Sequence, residues 1–262
     1  MKIPFSKYQG TGNDFVMVDN RAHAFPSGDF ALVKKLCDRR FGIGADGLIL
    51  LDEKSDGTLQ MTYFNSDGNP GTMCGNGGRC FAAFARQCGV PGDELTFEAA
   101  DGIHHAILTS LNPLTVKMSM GEVVAVEKEP DYLFLDTGSP HVVKFVSHVA
   151  NYEVQREGRA IRNSERFKAK GTNVNFVQAA PDHLVVRTYE RGVEDETYSC
   201  GTGVTASVLA AAFASLIRNS GPCAVHTPGG KLKVYFSKNG SGFKDVWLEG
   251  EATFVFHGEV DV

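Results

Sequence analysis

The chain has 262 residues, 42% hydrophobic and 22% charged, enough to bury one large core or two smaller ones of about 130 residues each. Its net charge of −5 gives no electrostatic footing for nucleic acid or an anionic membrane. The longest apolar stretch, 204–217, carries Thr205, Ser207 and Ser215 and falls short of a membrane span, and the first five residues lack a basic-then-apolar signal pattern, so the expectation is a cytoplasmic protein.

In chain order, residues 15–19, 48–51 and 61–64 are short runs rich in aliphatic and aromatic residues and predict strands, with a helix over 30–40. A loop then reaches Cys74-Gly75-Asn76-Gly77, and a helix predicted over 79–88 stops at Gly89 with Pro91 beyond. Strands at 95–98 and 116–120 follow. The charged stretch 122–131, containing Pro130, is the expected boundary between an N-terminal lobe, 1–122, and a C-terminal lobe, 123–251.

The second lobe repeats the plan, with strands predicted at 142–146, 174–178 and 184–189, then Cys200-Gly201-Thr202-Gly203. A helix over 204–218 ends near Gly221-Pro222. It is apolar nearly all round, as expected of a helix wrapped by strands. Strands at 224–226, 232–236 and 246–249 complete the lobe. Residues 252–262 have no counterpart in the first half and are expected to return to the N-terminal lobe.

The repetition keeps a fixed offset. Cys74-Gly75-Asn76-Gly77 matches Cys200-Gly201-Thr202-Gly203 (200 − 74 = 126), and Thr11-Gly12-Asn13 matches Thr137-Gly138-Ser139 (138 − 12 = 126). Asp46-Gly47-Leu48 falls opposite Thr172-Asn173-Val174, and Phe64-Asn65 opposite Glu190-Arg191, again at 126. Landmarks in one order at one offset point to an internal duplication. The expected fold is therefore α/β of the α+β type. It has two pseudo-symmetric lobes, each a mostly antiparallel sheet rolled around a central helix, with the active site in the cleft between them.

Six cysteines, at 37, 74, 80, 88, 200 and 223, could form three disulfides, but a reducing cytosol argues against that and no Cys-x-x-Cys spacing suggests zinc. A cysteine taken singly is most simply a small buried hydrophobe. Two cysteines at matched positions, each opening Gly-x-Gly and a helix, ask for more. A helix start binds anions through its free N–H groups and stabilises a thiolate. Two such motifs related by a pseudo-two-fold axis can set one thiol on each side of a bound α-carbon. One would take the α-proton and the other would return a proton to the opposite face, which is the chemistry of inversion.

Cys74-Gly75-Asn76-Gly77-Gly78-Arg79-Cys80, with Glu190-Arg191-Gly192 upstream of Cys200-Gly201-Thr202-Gly203, resembles the diaminopimelate epimerases. The resemblance runs through Gly10-Thr11-Gly12-Asn13-Asp14-Phe15, Gly42-Ile43-Gly44-Ala45-Asp46-Gly47, Phe64-Asn65-Ser66-Asp67-Gly68, Ser139-Pro140-His141, Asn173-Val174-Asn175-Phe176 and Thr227-Pro228-Gly229-Gly230. It implies a homodimeric enzyme that converts LL- to meso-diaminopimelate, without cofactor or metal, in lysine and cell-wall precursor synthesis. It also implies Cys74 and Cys200 as the proton-transfer pair, with His141 and Glu190 tuning the thiols. Gly75, Asn76, Gly77, Gly201 and Thr202 would hold the reacting carboxylate. Asn13, Asn65, Asn173, Glu190 and Arg191 would hold the other polar groups, with Arg191 on the distal carboxylate. The chain departs from many relatives at Ser139, where they carry Asn, and from some at Gly47, where they carry Gln.

Two patterns are decoys. Gly42-x-Gly44-x-x-Gly47 matches a dinucleotide fingerprint, but a helix precedes it and a strand follows, the reverse of what that site needs. His104-His105 would point to opposite faces of a strand and cannot share a metal. A proline or hydroxyproline racemase is the nearest rival reading. It is disfavoured by Asn76, where those proteins usually carry His, and by Glu190-Arg191-Gly192.

Overall fold

The computed structural model describes residues 2–71 and 73–261. The chain divides into two compact units: Met1–Met118 joined by Gly250–Val262, and Ser119–Glu249. Met1 and Val262, at the ends of the expected lobes, lie outside the described residues.

The first unit runs β1 (Lys2–Gly10), β2 (Asn13–Asp19), α1 (Phe30–Cys37), β3 (Gly47–Glu53), β4 (Leu59–Asn65), α2 (Gly75–Gln87), β5 (Glu94–Ala99), β6 (Gly102–Leu111) and β7 (Leu114–Ser119). The second runs β8 (Glu127–Lys128), β9 (Leu133–Asp136), β10 (Pro140–Phe145), α3 (Val154–Arg162), β11 (Asn173–Ala179), β12 (His183–Glu190), β13 (Asp195–Thr197), α4 (Gly201–Phe213), β14 (Cys223–Thr227), β15 (Gly230–Asn239) and β16 (Gly242–Glu251). β17 (Thr253–Asp261) pairs antiparallel with β1 in the first unit.

The duplication is written in the strand pairing. From β1 to β6 the pairs alternate antiparallel, parallel, antiparallel, parallel, antiparallel, and the series β9, β10, β11, β12, β14, β15 repeats those signs. Register agrees as well: β2 sets Phe15 against Gly47, and β10 sets His141 against Asn173, both members shifted by 126. One offset needs correcting. β3–β4 pairs Leu48 with Phe64 and β11–β12 pairs Val174 with Tyr189, so the fourth strand is offset by 189 − 64 = 125. Asn65 therefore corresponds to Glu190, not Arg191. Phe64 and Tyr189 are the matched buried aromatics that fix this register.

Strands buried on both faces carry continuous apolar runs. In the second unit Val143, Val177, Leu184, Val186 and Val225 pack with Val204, Val208 and Leu209 of α4. Val142, Val174, Phe176 and Tyr189 point the other way, to Val154 of α3 and Phe167. Such fully buried Val and Leu side chains each contribute about 1.5–3 kcal/mol of transfer free energy. The first unit repeats this, with Val16, Val18, Leu48, Leu50 and Phe64 packed on Val33 and Leu36 of α1.

Both central helices begin earlier than the expected 79 and 204, at Gly75 and Gly201, because the Gly-x-Gly segments are themselves the first helical turn. α4 also ends at Phe213 rather than 218, with Ser215 at a φ of 59° just beyond. Several elements were not predicted from the sequence, among them the strands β1 and β9 that precede each Thr-Gly turn, the short strands β8 and β13, and α3. The last is polar over most of its surface and carries Gly158 mid-helix. A Cβ at 158 would stand 2.4 Å from Tyr189 Cβ, so the glycine is there to let helix and strand meet.

Candidate active site

Cys74 and Cys200 are the N-caps of α2 and α4, with nearly identical backbone: φ −112°, ψ 118° and φ −113°, ψ 113°. Neither side chain caps its helix, and the first intrahelical bonds are Gly78 N–H to Cys74 O and Val204 N–H to Cys200 O, both 2.8 Å. The amides of Gly75, Asn76 and Gly77, and of Gly201, Thr202 and Gly203, precede that first bond and have no helical acceptor. No acidic residue lies in either first turn. Each unit thus offers a sulfur beside the positive end of a buried helix.

Close packing sets these helix starts. A Cβ on Gly203 would lie 2.3 Å from Asn175 Oδ1, and one on Gly77 would lie 2.9 Å from Ile49 Cδ1. Glycine at both places lets the helix approach the second inner strand of its sheet.

Around Cys74, the sulfur lies 3.4 Å from Asn13 Oδ1, and Asn76 Nδ2 lies 3.5 Å from the same oxygen. Asn13 Nδ2 donates to Asp46 Oδ2 at 2.7 Å, and Arg39 bridges Asp46 and Asp14 at 2.7 Å each. Burial pushes the Asp14 carboxyl up, but hydrogen bonds from Arg39 and Lys7 outweigh it and hold the group near about 2. Behind Asn76 sits Arg79, fully buried, donating to Asn76 Oδ1 (3.0 Å), Thr11 Oγ1 (3.1 Å) and the Gly75 carbonyl (3.3 Å). Its Nε has no partner, and desolvation draws its pKa down while the Cys80 and Cys74 thiols draw it up. Asn65 ends β4; among the described residues no hydrogen bond joins its side chain to this group. Tyr63 occupies the space a side chain at 47 would need, since a Cβ there would meet its ring at 2.5 Å.

Around Cys200 the polar groups differ. Its Sγ lies 3.4 Å from Thr202 Oγ1, which is 2.9 Å from His141 Nε2 and 3.2 Å from Ser139 Oγ. Asn173 donates to Ser139 Oγ (3.3 Å) and to the Pro140 carbonyl (3.2 Å), while the Arg191 backbone N–H donates to Asn173 Oδ1 at 2.9 Å. Arg191 reaches past Gly171 to donate to the Lys170 carbonyl at 3.2 Å. Glu190 Oε2 accepts from Thr197 Oγ1 at 2.8 Å. His141 is fully buried, and burial, with the Arg191 charge adding, brings its pKa down to about 3.

Ser139, His141, Asn173, Arg191, Thr202 and Cys200 thus form one connected group, as do Asn13, Asn76 and Cys74. The sequence reading assigned no role to Arg79 or Asn175. Their signals were present: an Arg among Gly, Cys, Phe and Ala, and an Asn alternating with Asn173 between apolar strand residues.

The remaining thiols belong to the packing. Burial pushes Cys37 and Cys80 up to about 12 and Cys88 and Cys223 up to about 11, and none of the six cysteines is in a disulfide. The Gly42–Gly47 segment links the end of α1 to the start of β3, the reverse of a dinucleotide site. His104 bonds Asp101 and His105 bonds Thr96, and no group of three or more potential metal-ligating side chains converges among the described residues. No described helix is long and apolar enough to cross a membrane.

Comparisons with known proteins show the family and the fold. The family model described as Diaminopimelate epimerase matches residues 5–126 and 133–255. A diaminopimelate epimerase of Flavobacterium psychrophilum is 49% identical over 251 residues, covering 95% of this chain and 97% of its own. One from Chlorobaculum tepidum is 38% identical, covering 96% and 98%. Among solved structures the fold is shared with a PhzF-family phenazine biosynthesis protein of Bacillus anthracis, with a TM-score of 0.77 at 15% identity and full coverage of both chains. It is also shared with a hydroxyproline epimerase of Agrobacterium vitis, with a TM-score of 0.70 at 13% identity, covering 99% of this chain and 92% of that one. With the family model spanning both units and relatives matched over nearly their whole length, the chain belongs to the diaminopimelate epimerase family.

Proposed function

We propose that this protein epimerises LL-2,6-diaminopimelate to the meso form with two thiols and no cofactor, supplying lysine and peptidoglycan precursors in the cytoplasm as a homodimer. The observation that carries the reading is the pair of cysteine N-caps with matched backbone, each at the start of a buried helix in its own copy of a duplicated unit. Inversion needs a base on one face of the α-carbon and an acid on the other, the two roles that a pair of thiols would fill.

One sulfur, as thiolate, takes the α-proton and becomes a thiol. The electron pair left on carbon spreads into the α-carboxylate, whose growing charge the helix amides of Gly75, Asn76, Gly77, Gly201 and Thr202 would stabilise. The other thiol then gives its proton to the opposite face and is left as thiolate. The reverse reaction exchanges the roles of Cys74 and Cys200. Without an electron sink the α-proton is very weakly acidic, so water must be excluded. Asn13, Asn65, Asn173, Glu190 and Arg191 would bind the remaining amino and carboxylate groups, with the Arg191 guanidinium on the distal carboxylate. His141, neutral when buried, and Glu190 would tune the thiols.

The test is deuterium uptake at the α-carbon of LL-diaminopimelate in heavy water with no cofactor added. Uptake with formation of the meso isomer is expected, and a folded protein giving neither would overturn the reading.

A further inference from the structure

The hydrogen bonds beside Cys200 can be given directions one at a time. Asn175 Nδ2 lies 3.0 Å from the Val142 carbonyl, which can only accept, so this end of the amide is the donor. The same nitrogen is 3.1 Å from His141 Nδ1, which must then be the ring nitrogen without a proton. Asn175 Oδ1 accepts from Thr188 Oγ1 at 2.9 Å, which completes the amide's partners. The buried ring is neutral, so its single proton sits on Nε2. That N–H faces Thr202 Oγ1 at 2.9 Å and Ser139 Oγ at 3.0 Å.

A second series runs the same way. Asn173 Oδ1 is held by the Arg191 backbone N–H, so Asn173 Nδ2 donates to Ser139 Oγ, which is 3.2 Å from Thr202 Oγ1. Both series supply donors to Thr202 and leave its own hydroxyl proton for Cys200 Sγ, 3.4 Å away.

We propose that Asn175 is a positioning residue for the epimerisation proposed above. It holds His141 as the Nε2–H tautomer, so that the Thr202 hydroxyl donates to Cys200 and favours its thiolate. His141 acts here as a donor and takes no proton from the thiol. The first unit lacks this arrangement. At the offset of 126, His141 and Asn175 correspond to Phe15 and Ile49, and Cys74 faces the oxygen of Asn13, whose nitrogen is fixed on Asp46. The buried Arg79 stands behind Asn76, and it interacts with Cys74 through charge. The charged groups at the end of β12 and in the turn after it are Glu190, held by Thr197, Arg191, whose charge reaches His141, and Glu194, held by Arg162. All three are present in every variant below.

The experiment uses substrate-free enzyme, so its result does not depend on whether the turnover assignment holds. Iodoacetamide labelling is followed against pH, and the Cys200 and Cys74 peptides are quantified in the same sample. Nitrogen-15 NMR of histidine-labelled protein reads the His141 tautomer. Wild type should show Nε2–H throughout pH 5 to 9. Asn175→Asp puts an acceptor against Nδ1 and should move the proton there. It should slow Cys200 labelling roughly tenfold at fixed pH, the effect of about one unit in thiol pKa, and leave Cys74 within about twofold. Thr202→Val, which adds no charge and lies at a partly exposed position, should slow Cys200 equally with the tautomer unchanged, and Thr202→Ser should restore it. An Nδ1–H tautomer in wild type would overturn the proposal. So would unchanged Cys200 labelling in Thr202→Val, or equal slowing of both thiols. If Asn175→Asp fails to fold, the wild-type tautomer and the Thr202 pair still decide.

Discussion

The buried His141 makes a prediction about acid stability whose size follows from the structure. An unfolded histidine titrates near about 6.5, whereas burial brings His141 down to about 3 in the folded protein. As pH falls, the unfolded chain binds this proton first. The stability His141 confers as a neutral ring is complete above the unfolded value and is lost between about 6.5 and 3. Within that window the loss is about 1.4 kcal/mol per pH unit. From pH 7 to pH 5 roughly 1.5 units lie below the unfolded pKa, which gives about 2 kcal/mol from this one residue. Urea denaturation of wild type and His141→Gln at both pH values, at one ionic strength, measures it as a difference of differences. The variant will start less stable, because Asn175 and Thr202 lose a partner. Its decline toward pH 5 should nevertheless be about 2 kcal/mol smaller than that of wild type. The other seven histidines are common to both proteins and cancel. Equal declines would refute the buried, neutral ring.

Three further outcomes are expected. Cys74→Ala and Cys200→Ala should each abolish α-proton exchange yet keep the native circular dichroism spectrum, while Cys80→Ala should stay active and cost about 1 kcal/mol of stability in urea melts; near-normal turnover in either N-cap variant would rule out two-thiol inversion. Gly203→Ala should destabilise the second unit by about 1–3 kcal/mol, because the new Cβ would stand 2.3 Å from an Asn175 amide that cannot yield without losing its bonds; an unchanged melting temperature would show that the helix start can shift. Arg191→Ala should lower kcat/KM for diaminopimelate by an amount corresponding to about 2–5 kcal/mol, with only partial rescue by Arg191→Lys, which lacks the guanidinium fork; lysine, without the distal carboxylate, should show no exchange in the same assay, and exchange at a comparable rate would sink the role given to Arg191.

Much of this protein was legible in the chain of letters. Cys74 and Cys200 could be singled out because a duplicated unit repeats its local chemistry at a constant spacing, and Gly-x-Gly after a cysteine means the same local geometry wherever it occurs. The strands with continuous apolar runs, such as β2 and β3, and the nearly all-apolar α4 declare their burial by composition alone. α3 could not be read this way. Its nine residues are mostly charged or polar around Gly158, and only the approach of Tyr189 explains why a glycine sits mid-helix. The one-residue change of register in the fourth strand was likewise invisible, because pattern matching over Gly and Asn cannot register a single deletion. Packing Tyr189 where Phe64 packs decides it.

The directions of the hydrogen bonds around Cys200 also lay beyond the sequence. Asn175 was on view within Asn173-Val174-Asn175-Phe176, yet a side-chain amide can donate or accept at either end. Which way it faces is set by the Val142 carbonyl, 33 positions earlier in the chain and brought alongside by the parallel pairing of β10 with β11. Sequence determined which residue types open each helix, because that is local geometry. Tertiary structure decided which proton each carries, because a proton's place depends on partners that only folding brings within about 3 Å.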